Sequence, residues 1–394
     1  MYKLRIFISH PIYYHLGIWR ELEKIKDLDS KVYYFSDTGL KEFIDSEMNV
    51  KRSWGDESTL QGYKNKILKN YGINKDKYNF FSKVNFSIFN IIRKEKPDAV
   101  LVNGYVLMSD WITILSAKFF GSKVIFRGEA NLKDSDYCNS YKSKIKKIVL
   151  PIIFNFSNKV LYSCQGNKEY YLYYGVDEKK LVYYPCSVDN TFFQNKRKIL
   201  ESDRTKIRKE FGINNDDLVL IMVGKIINLK RPYDLVDSVS KINHKNIKII
   251  FLGDGPEKEK LEQYSKEKKI NAIFPGFKTQ NEISKYFIIS DLYCMLSNKD
   301  NSPKAMNEAM NFGLPVICTD IVGTAKDLID DKKNGFLVKT GDIETISNKI
   351  DFLNNNRKVL VEFSKKSFEK INDFTFKRDA NSIYRAIKGN MNEI

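Results

Sequence analysis

The sequence predicts an α/β protein made of two Rossmann-like, doubly wound domains facing a cleft. Three observations predict it. Short apolar, strand-like runs alternate with longer helical segments along nearly the whole chain, the pattern of parallel sheets with crossover helices. These runs fall into two series separated by a polar, charged stretch. At 394 residues the chain exceeds one ordinary core and suits two domains of about 150–200 residues.

The first series comprises residues 4–8, 32–35, 99–102, 124–126, 160–162 and 181–184, with helical periodicity over 81–94 and 110–120. The second comprises 218–223, 247–252, 272–274, 292–296, 315–319 and 335–338, each followed by a loop rich in Gly, Asn or Asp and then a helix candidate. Residues 189–209, polar and charged, read as a linker leading into a helix. A helical pattern returns over 375–391. The expected division is therefore 1–195, then 205–372, then a C-terminal helix over 373–394 that packs back on the N-terminal domain.

Composition narrows the function classes. Apolar residues make up 42% and charged residues 29%, the balance of a packed globular protein. The longest apolar run, 148–154, is far short of the ~20 residues of a membrane span, and nothing resembles a secretory signal. The expectation is a cytoplasmic protein, with a peripheral position on the inner face of the membrane left open. The five cysteines are scattered without a C-x-x-C pair, and there are three histidines. Neither a disulfide framework nor a zinc site is expected.

The net charge of +17 fits nucleic acid, an anionic membrane surface or a phosphate-bearing ligand, and fits equally a Lys-, Asn- and Ile-rich composition. The sharpest basic cluster, Lys142, Lys144, Lys146 and Lys147, abuts the apolar 148–154. Such a segment can lie on anionic lipid or be a helix with a solvated face. No aromatic–basic nucleic-acid module is present, so no nucleic-acid partner is expected.

Two segments carry chemistry. In the first, a buried strand ends at Gly224, and Lys225, Lys230 and Arg231 follow. Glycine there lets backbone approach a ligand, and Lys225 and Lys230 across such a turn can reach one diphosphate. In the second, a strand ends at Leu296 and a polar loop leads to a helix expected to start at Ser302 as N-cap or Pro303 as first residue. The N–H groups of Lys304 and Ala305 would then seat a phosphate. Asp300 just before the helix and Glu308 inside it could flank the same ligand, one toward sugar hydroxyls and one toward a ribose diol. The run FLGDGPEKEKL, 251–261, fails the dinucleotide and P-loop fingerprints and reads as a turn. Asp134-Ser135-Asp136 spells D-x-D but sits in a charged loop, so no metal role is expected.

These residues resemble the donor domain of glycosyltransferase family 4, the retaining two-domain enzymes of GT-B fold. The family's Gly-Arg-x(4)-Lys is matched by Gly224-Lys225…Lys230. Its E-x(7)-E running into E-A-M-x-x-G-x-P-V-I is matched by Asp300…Glu308 and on through Ile317, and its later segments by 323–329 and 334–338. The likeness is strong over roughly 215–340. Asp300 stands where the family has Glu, and Lys225 where it has Arg, which loses the bidentate fork toward phosphate.

The resemblance implies transfer of a sugar from a nucleotide-diphosphate-sugar to a hydroxyl of a glycan or lipid-linked acceptor, with retention and without a metal or other cofactor. Asp300, Glu308, Lys225, Lys230 and Glu129 would be the catalytic set, and Gly224, Ser302, Lys304 and Ala305 would join the donor site. The opening H-P-I-x-Y-H resembles a subset of the family. It puts His10 and His15 at the acceptor or donor phosphate, or in a structural role such as capping the first helix. Arg127 and Glu129, in FRGEANL, stand where many members carry a His, with Glu129 toward the acceptor and Arg127 toward an anion. A nucleotide-sugar epimerase or hydrolase of the same fold, and a non-catalytic basic binding protein, remain the alternatives.

Overall fold

In a computed structural model, residues 1–40, 43–45, 50–52, 57–75, 78–132, 134–244 and 246–389 are described. They fall in two compact units, within Met1–Ile44, Lys51–Cys186 and Phe376–Ile394, and within Asp45–Val50 and Ser187–Thr375. The strands are β1 (Tyr2–Ile8), β2 (Leu28–Tyr34), β3 (Phe43–Asp45), β4 (Val50–Arg52), β5 (Asn65–Ile67), β6 (Ala99–Asn103), β7 (Lys123–Arg127), β8 (Lys159–Tyr162) and β9 (Leu181–Tyr183) in the first half. In the second half they are β10 (Leu218–Val223), β11 (Ile247–Leu252), β12 (Asn271–Ile273), β13 (Leu292–Met295), β14 (Val316–Thr319) and β15 (Gly335–Val338).

The first unit's sheet has the order β5-β2-β1-β6-β7-β8-β9 and the second unit's the order β12-β11-β10-β13-β14-β15, with parallel neighbours throughout. All twelve apolar runs form strands. Residues buried on both faces of a parallel sheet read as continuous apolar runs, and IKIIFL in β11 is buried at every position. Strand β5, three residues of NKI at the sheet edge, was not foreseen, because a short half-exposed edge strand carries no such run.

Helices α1 (Tyr13–Glu23), α2 (Ser87–Glu95), α3 (Met108–Phe119), α4 (Asp134–Tyr137), α5 (Tyr141–Phe156) and α6 (Gln165–Tyr173) belong to the first unit. α2, α3, α5 and α6 cover one face of its sheet, over a core of Ile88, Ile92, Ile114, Ile153, Phe154 and their strand partners. α1 covers the other face with Leu16, Ile18, Trp19 and Leu22.

The second unit holds α7 (Asn190–Glu201), α8 (Arg204–Glu210), α9 (Pro232–Ser240), α10 (Lys258–Glu267), α11 (Gln280–Ile289), α12 (Lys304–Asn311), α13 (Ala325–Leu328), α14 (Ile343–Asn355) and α15 (Arg357–Ile371). α16 (Phe376–Lys388) returns to the first unit, where Ile383, Ala386 and Ile387 join the α1 core. Its Phe376 ring lies against Gly17 so closely that a Cβ there would stand 2.0 Å from it.

The stretch expected as a linker leading into a helix is helical over most of its length. α7 buries Phe193, and Arg208 of α8 is fully buried, donating to the carbonyls of Asn214, Asp217 and Ile289. A charged side chain that caps several buried carbonyls is indistinguishable, in sequence, from a solvated one. The two units divide at Cys186/Ser187 and at Thr375/Phe376.

Candidate active site

In each sheet the strand order reverses at one place, between β1 and β6 and between β10 and β13. Open parallel sheets bind ligands at the carboxyl ends of strands at such switch points. In the second unit the loops leaving β10 and β13 are 224–231 and 296–303. They are clasped together: the Asn298 N–H donates to the Leu229 carbonyl at 2.9 Å, and Lys230 forms an ion pair with Asp300. Gly224, Lys225 and Lys230 line one pocket with Met295, Leu296 and Ser297. Arg231 is engaged within its own segment. It adopts a left-handed backbone (φ 53°) before α9, and Asp234 holds it through Nε at 2.5 Å and Nη2 at 3.0 Å.

The loop 253–257, read from sequence as only a turn, packs against the Gly224 loop. The Gly224 N–H donates to Leu252 O and the Ile226 N–H to Asp254 O, at 3.0 and 2.9 Å. Gly253 has φ 151°, and a Cβ on it would lie 1.9 Å from the Gly224 carbonyl oxygen. Glycine is the residue that permits this approach. The signal was present as G-x-G but matched no phosphate fingerprint.

Helix α12 starts one step later than expected. Its N-cap is Pro303, whose carbonyl accepts from Met306 N at 3.2 Å, and no side chain caps it. Ser302 is not the cap, because its neighbours claim it. Its N–H donates to Asp300 Oδ1 at 3.1 Å, and its hydroxyl accepts from Lys304 Nζ at 3.3 Å. Without a capping side chain, the first-turn amides of Lys304 and Ala305 and the dipole behind them can favour an anion. The Asp300 carbonyl accepts from Gly323 N at 2.8 Å, which fixes the loop from the far side. Glu308, one turn in, is buried. The buried Tyr293 phenol is pushed well above its usual range by burial and then by Asp300, Cys318 and Glu308, so both carboxylates act on one ring. The structure thus gathers Gly224, Lys225, Lys230, Asp300, Ser302, Lys304, Ala305 and Glu308 around two adjacent loops of one unit.

The first unit groups the other candidates. Arg127, at the end of β7, is buried and donates to Asn103 Oδ1 at 2.7 Å, pairs with Glu129 and lies 5.0 Å from the Tyr184 ring centroid. Burial opposes its charge, but Glu129, Tyr184, Cys186 and Asp379 outweigh it and hold it protonated. A guanidinium engaged in this way orients the half-exposed Glu129 instead of meeting an anion by itself. His15 is buried inside α1, with Nε2 3.4 Å from Arg127. Neither histidine caps α1, whose N-cap is Ile12. His10 follows β1, with Nδ1 2.9 Å from Ser9 Oγ. Asp110, unforeseen, is fully buried beside Gly104 at the end of β6, and burial pushes its carboxyl up to about 7.

Burial, then the Lys83 charge, depresses His10 to about 4. A histidine depressed on folding stays neutral while the unfolded chain protonates first. Its contribution is present above the unfolded value near 6.5 and is lost as pH falls through about 4. His10→Asn should flatten the fall of the urea midpoint between about pH 6.5 and pH 4, relative to the parent.

Residues 203–370 match the family model described as "Glycosyl transferases group 1". This segment resembles the glycosyl transferases of group 1. Curated relatives also match part of the chain. An uncharacterized glycosyltransferase of Haemophilus influenzae is 30% identical over 157 residues, covering 39% of this chain and 44% of its own. The N-acetyl-alpha-D-glucosaminyl L-malate synthase of Bacillus anthracis is 31% identical over 153 residues, 38% of this chain and 39% of its own. The chain thus spans less than half the length of these relatives. Among solved structures, HepE of Anabaena in complex with UDP superposes with TM-score 0.73 at 14% identity, over 98% of this chain and 100% of that one. A glycosyltransferase of Rickettsia africae does so with TM-score 0.72 at 17% identity, over the whole of both chains. The GT-B fold of these structures is the fold of this protein.

Proposed function

We propose that the protein is a retaining glycosyltransferase that moves a sugar from a nucleotide-diphosphate-sugar to a hydroxyl of a glycan or lipid-linked acceptor, in cell-surface polysaccharide or glycan assembly. One observation carries the reading: two lysines, Lys225 and Lys230, line a single pocket at the switch point of the second unit's sheet, against the Asp300 loop. The names of the relatives and the UDP complex of the Anabaena protein support a nucleotide-sugar donor.

The bond between the sugar's anomeric carbon and the diphosphate oxygen breaks, and its electron pair goes to the diphosphate. The acceptor oxygen forms the new bond on the same face, and its proton passes to the departing diphosphate. Lys225, Lys230 and the first-turn amides at Lys304 and Ala305 stabilise the growing charge, the kind of preorganised term that dominates such reactions. Because those groups supply the positive charge, transfer should survive EDTA. Glu308 holds the ribose diol, and Asp300 meets sugar hydroxyls as it shares Lys230 with the phosphates. Glu129, oriented by Arg127, meets the acceptor with His10, and His15 packs behind them.

Glu308→Gln keeps the shape but loses the charge-assisted acceptance from two hydroxyls. Donor affinity by calorimetry should fall about tenfold, in line with about 1.5 kcal/mol for such a bond, and unchanged affinity would remove Glu308 from the donor site. The activity is tested by melting-temperature shifts against UDP-, GDP- and ADP-sugars, followed by the anomeric configuration of the product by NMR. Inverted product would overturn the retaining mechanism. Free sugar or an isomer formed without acceptor would make the enzyme a hydrolase or epimerase.

A further inference from the structure

Most of the large exposed apolar side chains among the described residues belong to the first unit. They concentrate on the helices covering one face of its sheet: Phe86 and Phe89 next to and on α2, Leu115 and Phe119 on α3, and a full stripe on α5. None lies on α1 or α16, which close the opposite face. The α5 stripe is Tyr141, Ile145, Ile148 and Ile152, with relative exposures of 79, 42, 67 and 49%. The spacing of four, three and four residues puts them on one line of a helix. The same helix buries Leu150, Ile153 and Phe154 in the core. A helix apolar on both sides is normally enclosed, and an exposed patch of this extent marks an interaction site.

Charge says what meets it. α5 contains no acidic residue, and Lys144 and Lys147 are exposed beside the stripe. On α3 the acid, Asp110, is buried, and on α2 Glu95 is engaged by Arg5 and Tyr33. Lys147 lies 5.7 Å from the ring centroid of Tyr173, against which the exposed Tyr137 packs at 5.1 Å. Tyrosines and lysines bordering an apolar stripe suit the headgroup level of a bilayer. Lys146 plays no part, since it is tied to the buried Asp136, which also accepts from Tyr174. That internal pairing is what the D-x-D acid serves; the side chains of Asp134, Ser135 and Lys142 lie outside the described residues.

We infer that this helical face, with α5 at its centre, docks the protein on a bilayer of anionic phospholipid. α5 follows β7 through the loop carrying Glu129, so its lysine-bearing first turns lie at the carboxyl edge of the sheet, where His10 and Glu129 also stand. Docking brings that edge to the lipid surface. The inference stands apart from the donor chemistry.

The test is flotation of the full chain with vesicles of phosphatidylcholine alone or with about 30% phosphatidylglycerol, at low and high salt. Binding should require the anionic lipid and weaken with salt. Lys144→Glu/Lys147→Glu should cut it by at least about tenfold, and Ile148→Asp, at an exposed position, should abolish it. Both variants should keep the parent's melting temperature and its UDP-sugar affinity, which separates this question from the donor reading. No binding to either vesicle, or variants that bind like the parent, would overturn the inference. So would a dimer of the parent that Ile148→Asp dissolves, which would give the face to a second copy.

Discussion

Lys230→Ala should lower kcat/KM by about 10²–10³-fold, the usual consequence of removing one preorganised donor from developing charge. The melting temperature should move little. The Lys230–Asp300 pair keeps 20% and 19% of its side-chain surface, and partly exposed pairs of this kind contribute about 0–1 kcal/mol. The pair also makes the interpretation testable. Asp300 engages the Lys230 ammonium, so in the proposed reaction a diphosphate must share it. Asp300→Asn should therefore lose sugar contacts while releasing Lys230 toward phosphate, weakening transfer more than UDP affinity. A double-mutant cycle should be non-additive, because one residue's effect runs through the other. If Lys230→Ala turns over like the parent, the diphosphate is bound elsewhere.

The other large effect is expected at Gly253. Alanine there would put a Cβ 1.9 Å from the Gly224 carbonyl oxygen, on a backbone with φ 151°. Neither loop can yield without breaking the hydrogen bonds that join Gly224 to Leu252 and Ile226 to Asp254. The cost should be about 3 kcal/mol or more, the scale reached when a special backbone conformation is violated. Thermal unfolding should show the loss. A surviving fold should bind UDP-sugar poorly, since the displaced loop carries Lys225. A variant with parent-like stability and affinity would mean that the two loops are not coupled.

Which features were legible in the sequence follows from how far each signal reaches. Buried parallel strands announce themselves as unbroken apolar runs, as in 218–223 and 247–252, so the two sheets could be read directly. The spacing from Gly224 to Lys230 and from Asp300 to Glu308 located two strand exits of the candidate site, because those signals are local. The start of α12 lies one residue beyond the one its local sequence suggests. Ser302 has the chemistry of a cap, but the Asp300 carboxylate and Lys304 hold it first. The stretch 189–209 reads as a linker into a helix, and not as packed helix throughout, because the partners of Arg208 lie in residues as distant as Ile289.

By itself, then, the sequence determined the α/β class, its two series of strands and the acids and lysines at the carboxyl ends of β10 and β13. These depend on burial periodicity and on neighbours within a few residues. Only the tertiary structure decided that Lys230 pairs with Asp300, that Arg127 is enclosed and orients Glu129, that Gly253 must be glycine, and that α5 leaves an apolar stripe uncovered. Each of those is a relation between segments distant in sequence, set by how crossover helices and strand exits pack and not by the residues' own preferences.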